Sequence, residues 1–154
     1  MTARPQELHR PLSALPDPER RPDFYRGTAV KRAIAWVIDV CLIAILCILI
    51  LPFTAFTGVF FFPLLMLVTG FFYRWFTIAS RSATWGMRLV AIELRDHEGP
   101  RFDSTMALMH TAGYTVSVLM APAQFVSAVL MCATPRGQGL SDLVLGTTAI
   151  NRPV

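Results

Sequence analysis

Three long apolar blocks constrain this chain more than any other feature. Residues 33–51 carry one charge, Asp39; residues 53–73 carry none; residues 104–134 carry none unless His110 is protonated. As helices at 1.5 Å per residue, the first two blocks reach about 28 and 31 Å, close to the roughly 30 Å of a bilayer's hydrocarbon core. Backbone polar groups find no water at that depth and must pair within their own segment, so blocks of this kind become helices. Only 16% of the residues are charged and 54% are hydrophobic, whereas soluble domains average about 25% charged. The expectation is an α-helical membrane protein of one domain, without a soluble catalytic module.

The blocks predict a two-span helical hairpin over about 33–51 and 53–73. Residues 1–23 are polar and hold Pro5, Pro11, Pro16, Pro18 and Pro22, which reads as a disordered proline-rich tail rather than a cleaved signal. Charge orients the hairpin. Arg4, Arg10, Arg20, Arg21, Arg26, Lys31 and Arg32 precede the first span, and Arg74, Arg81, Arg88, Arg95 and Arg101 follow the second, while the link around 52–58 has no basic residue. The positive-inside rule places the N-terminus and the 74–101 loop in the cytoplasm, with Arg74, Arg81 and Arg88 at the headgroups. The net charge of +4 is accounted for by anionic lipid, so no nucleic-acid partner is implied.

The third block, 104–134, is long for one upright helix and short for two. Gly113 and Pro122 interrupt it, and a proline inside a helix removes a hydrogen bond and bends the axis. It reads either as one long tilted span or, preferably, as a broken segment that enters and returns. Residues 87–94 and 143–150 are rich in β-branched side chains next to turn signals, as strands are. Two strands that pair must lie on one side of the membrane, which gives a small cytoplasmic two-stranded β element and a returning third segment.

Among residues able to carry chemistry, Asp39 stands first. A carboxylate at membrane depth costs about 2.5–3.5 kcal/mol on insertion scales, and such residues face a protein interior or a watery path. Arg32 lies two helical turns earlier on nearly the same face, too far for a direct pair, and is expected to reach the headgroups. The partner of Asp39 is then sought in His110, Arg74 or a loop arginine. Its bland reading, a helix-to-helix hydrogen bond, stands level with an ion or proton role; for His110 the bland reading leads. Cys41, Cys47 and Cys132 form no metal or redox pattern. No nucleophile elbow, zinc-protease or phosphate-loop motif is present, so neither an enzyme, a metal nor a cofactor is expected.

Three pieces together resemble the RDD family of small membrane proteins: Lys31 and Arg32 running to Asp39 in the first span; Ser82-Ala83-Thr84-Trp85-Gly86-Met87-Arg88 before a strand; and Arg136-Gly137-Gln138-Gly139-Leu140-Ser141-Asp142 near the end. The match runs over about 24–151. Met87 stands where many members carry lysine. The resemblance implies that Arg32, Asp39 and Asp142 are signature residues and that transport of ions or small solutes is one role to weigh. A membrane scaffold or assembly factor is the other. For Asp142 the sequence offers a plainer part, capping a short turn or pairing with Arg81 or Arg88. Two spans and a broken third enclose little alone, which points to a homo-oligomer or a membrane-protein partner; the resemblance implies a bacterial inner membrane.

Overall fold

In the computed structural model, residues 14–152 are described. The first span is α1, Thr28–Ile50. Its buried residues Ala35, Asp39, Ile43 and Cys47 recur every fourth position, one narrow stripe along the helix. Ile34, Val37, Ile45, Ile48 and Leu49 point outward and are exposed. The second span is α2, Phe62–Arg81, with Gly70, Arg74 and Ile78 as its buried stripe. Small and polar residues thus face inward and large apolar ones outward, the pattern that packing in lipid favours. A Cβ at Gly70 would meet Ile43 at 3.5 Å, an ordinary packing contact, so α1 and α2 lie side by side here.

The second span begins later than expected. Residues 53–61 form 3-10 turns around Leu51–Thr54 and Thr57–Val59, and α2 starts with Pro63 in its first turn. Pro52 cannot continue the α1 ladder, and Pro63 suits a helix start, so the turn widens between them. Phe53 and Phe60 at this turn are 90% and 84% exposed, as side chains bathed in lipid are. The helix instead runs through Arg74 to Arg81. Arg74, expected at the headgroups, is carried within α2 and is buried against the bundle.

The chain then makes a five-residue helix α3, Trp85–Leu89, and strand β1, Ile92–Arg95. Helices α4, Ser104–Leu119, and α5, Ala121–Ala133, follow. They are bent 118° at Met120, and Pro122 sits in the first turn of α5. The third block is thus broken, and Pro122 opens a new helix rather than kinking an old one. Gly113 does not interrupt it. It lies within α4 at a close approach, where an added Cβ would meet Ser141 at 3.3 Å. Among the described residues two helices are long and apolar enough to cross a membrane, and the α4–α5 pair makes three if counted as one span.

A second short helix, α6, Leu140–Leu145, leads into strand β2, Thr148–Asn151. The strands pair antiparallel, Ile92 with Asn151 and Arg95 with Thr148 at the ends. The expected ribbon is present, but the first halves of 87–94 and 143–150 are helical. Thr84 caps α3 by accepting the Met87 N–H at 3.2 Å, and Gly146 ends α6 with φ +68°. These caps outweigh the strand preference of a few β-branched residues. Leu94, Phe102, Ala107 and Ala149 join Ile78 in the core that fastens the ribbon to the bundle.

Residues 14–25 pack on that same end. Ala14 donates its N–H to the His97 carbonyl at 2.9 Å, the Tyr25 hydroxyl donates to the Pro16 carbonyl at 2.7 Å, and Leu15 is buried. The expected proline-rich tail makes these contacts over its residues 14–23. Residues 1–13 of that expectation, with Arg4, Arg10 and His9, lie outside the described residues.

Candidate functional site

Asp39 faces inward from the middle of α1 and is 3% exposed. One carboxylate oxygen accepts the Tyr73 hydroxyl at 2.7 Å and the Gly86 N–H at 2.9 Å. The other accepts the Thr84 hydroxyl at 2.6 Å. All three donors are neutral. The expected cationic partners, His110, Arg74 and the loop arginines, make no ion pair with it, and Tyr73 turns its hydroxyl inward to it. The arrangement seats the N-terminus of α3 on α1. It depends on glycine at 86: a Cβ there would lie 2.3 Å from the Ala35 carbonyl oxygen and 2.9 Å from Asp39.

Asp142, fully buried, gathers a second set of donors. Arg32 reaches one oxygen at 2.6 Å, joined by the Gly139 N–H at 3.0 Å. His110 Nε2 lies 3.0 Å from the other, and the Thr147 hydroxyl 3.1 Å. Arg32 does not reach out to headgroups. It turns back to Asp142 and also donates to the Gly137 carbonyl at 3.3 Å. Neither Arg81 nor Arg88 takes that place. Arg81 is exposed; Arg88 stacks 4.7 Å over Trp85 and donates to the carbonyls of Ala83 and Thr77. Capping holds as the sequence suggested, because Asp142 at the third helical position accepts the N–H of the residue before α6. Burial is the largest single influence on Asp142 and disfavours its charge. Arg32, His110 and the Gly139 N–H together overcome it and hold the carboxyl well below the usual carboxylate range.

A third buried carboxylate went unnoticed in the sequence. Glu93 in β1 is fully buried; it pairs with Arg95, with Arg101 at 3.3 Å and with Arg152 at 3.6 Å. The strand was read from β-branched residues and turn signals, which do not report burial; Ile92, Glu93 and Leu94 are all buried, since both faces of the ribbon are covered.

Between α1, α2, α4 and α5 lies a cavity of about 550 Å³. Arg32, Asp39, Arg74 and His110 line it together, so four of the sequence-derived candidates meet on one space although Asp39 and Asp142 have separate donors. Arg81, Arg88 and Asp142 lie off it. At the α1–α4 boundary the Trp36 indole N–H donates to the Tyr114 hydroxyl at 2.7 Å. Among the described residues no three His, Cys, Asp or Glu side chains converge as a metal site would require.

An apolar helical hairpin, a bent third segment and two buried aspartates, one on the first span and one reached from it, fit a small membrane protein. The model of the RDD family matches residues 26–146, and the chain belongs to that family. No curated protein and no solved structure matched it.

Proposed function

We propose that this protein supports passage of a small solute or ion across a bacterial inner membrane, with the N-terminus and the β ribbon in the cytoplasm. The cavity between α1, α2, α4 and α5 would hold the solute, and homo-oligomerisation would complete the enclosure that two or three spans leave open. We infer no enzymatic role. The observation that carries the reading is the cavity itself: Asp39, Arg74 and His110 all face it inside an otherwise apolar bundle, and ionisable groups gathered on an intramembrane cavity commonly mark a path.

Asp39 has a particular part in this reading. Its oxygens hold Tyr73 on α2 and Thr84 and Gly86 at the start of α3. A proton or cation taken up there competes with one of those donors, which couples occupancy to the seat of α3 on the cavity wall. The test is proton and sodium flux into liposomes carrying wild type, Asp39→Glu or Asp39→Asn, compared at equal amounts of folded protein. Flux above empty liposomes that survives in part with glutamate and vanishes with asparagine supports the reading. Equal flux in both variants removes Asp39 from the path. Tight liposomes with well-folded wild type favour the second reading, a scaffold, which the full donor sets around Asp39 and Asp142 also suit.

A further inference from the structure

Arg74 is the one cavity group whose charge the described residues leave unanswered. It lies about two turns inside the ribbon end of α2, and the residue is 8% exposed. Its guanidinium sits 4.5 Å above the Tyr114 ring. Among the described residues it donates no hydrogen bond and has no carboxylate within ion-pair distance. Arg32, the other arginine on the cavity, is already neutralised by Asp142. Asp39 carries the opposite charge on the same cavity, but it makes no ion pair with Arg74, and its oxygens are engaged by Tyr73, Thr84 and Gly86. Two more polar atoms on this wall, His110 Nδ1 and Thr111 Oγ1, are buried with no hydrogen-bond partner. The guanidinium opens onto the cavity without a carboxylate to balance it, so an anion entering the space would find an unshared cation there.

The remaining wall is largely apolar, with Ala29, Ala33, Ile78, Met87, Ala128 and Met131 around the space and Thr84 and Gln124 as its polar members. Its rim includes Trp36 and Val37, which are 46% and 53% exposed on the lipid-facing side of α1, so the cavity opens towards the bilayer. Its volume falls within the roughly 300–1,000 Å³ of small-molecule sites.

We propose that the cavity binds an anionic amphiphile, its phosphate or carboxylate head on the Arg74 guanidinium and its acyl chain along the apolar walls of α1 and α5. This rests on the reading of the cavity as the binding place and names the class of ligand it takes. A phosphate or carboxylate supplies the charge-assisted acceptor that Arg74 lacks, and the chain fills space that a free inorganic anion leaves empty.

The test is ligand-dependent thermal stability and native mass spectrometry of the purified full chain in a neutral detergent. The probes are phosphatidylglycerol, phosphatidylcholine of the same chains, palmitate and inorganic phosphate. An anionic amphiphile is expected to bind roughly tenfold or more tightly than the other two, and to raise the unfolding temperature. Binding by phosphatidylglycerol alone identifies a membrane lipid as the source; binding by palmitate identifies a single-chain acid; both support the proposal. Arg74→Met should abolish that gain while raising the unfolding temperature of the ligand-free protein, an effect a merely structural arginine would not give. Arg81→Gln, on the exposed end of α2, should bind as wild type. Ala128→Phe, which fills the cavity without touching Arg74, should also abolish binding and decides the matter if Arg74→Met does not fold. Equal binding of phosphatidylcholine or inorganic phosphate, or binding unchanged by both cavity variants, overturns the proposal. Because binding is read without flux, ligand binding in a protein that moves nothing counts against the transport reading alone. Flux without such binding counts against this inference alone.

Discussion

Asp39 and Asp142 are both enclosed carboxylates, and each seats a short helix that runs on into one strand of the same ribbon. They differ in who answers the charge. Around Asp39 the donors are two hydroxyls and a backbone N–H; around Asp142 they include the Arg32 guanidinium and the His110 ring. The difference teaches that two acids which the resemblance marks alike need not do equal work. The Asp142 arm is an ionic lock tying the C-terminal segment to the start of α1. The Asp39 arm is a neutral clasp on the cavity wall, the one whose state can register what the cavity holds.

Breaking the lock should produce the largest effect. Asp142→Ala leaves Arg32 buried without its anion, and losing one member of a buried pair costs about 3–5 kcal/mol. Denaturant or thermal unfolding in mild detergent should show it. Next comes Gly86→Ala. Its methyl group would occupy space 2.3 Å from the Ala35 carbonyl, so α3 must lift from α1 at about 1–3 kcal/mol, the usual range for overpacking. Asp39→Asn should cost about the same or less, about 1–3 kcal/mol, because its amide keeps one acceptor but sets N–H groups against donors. If Asp39→Asn proves costlier than Asp142→Ala, the two arms have been ranked in the wrong order.

Acid sharpens the contrast with the smallest effect. The Asp142 carboxyl is held below its unfolded value of about 3.9, so its contribution to stability is full above that pH and is lost as pH falls below it. Unfolding temperature followed from pH 7 to pH 3 should fall at the acid end, and an Asp142→Asn background should lose that part of the fall. A profile identical in both would show that Asp142 contributes nothing through its charge.

The bundle was legible because its signals are long. Each apolar block repeats the same preference over about twenty positions, Pro122 marks the break in the third, and the facing strands follow from two β-rich segments that needed each other. The short elements were not. Residues 87–89 and 143–145 read as strand until Thr84 and the Asp142–Gly139 cap are seen to organise one helical turn each. Arg74 was taken for the edge of a loop because charge usually ends a span; only the tertiary fold, with Gly70 one turn before it and the Tyr114 ring below it, makes room for a guanidinium. Glu93 was hidden because composition and turn signals place a strand without telling which of its side chains are buried, and here three in a row are. The partners of Asp39 lie 34, 45 and 47 residues away, and nothing in a single sequence announces a hydroxyl as a long-range donor.

The most direct test of two separate arms is amide hydrogen exchange in Asp39→Asn, comparing residues 86–89 of α3 with residues 141–145 of α6. The neutral clasp predicts that protection falls in α3 by about tenfold or more, as a loss of 1.4 kcal/mol in local stability would give, while α6 keeps its wild-type protection. Equal loss in both helices, or no loss in α3, would contradict it: the two carboxylates would then act as one unit, or Asp39 would hold nothing in place.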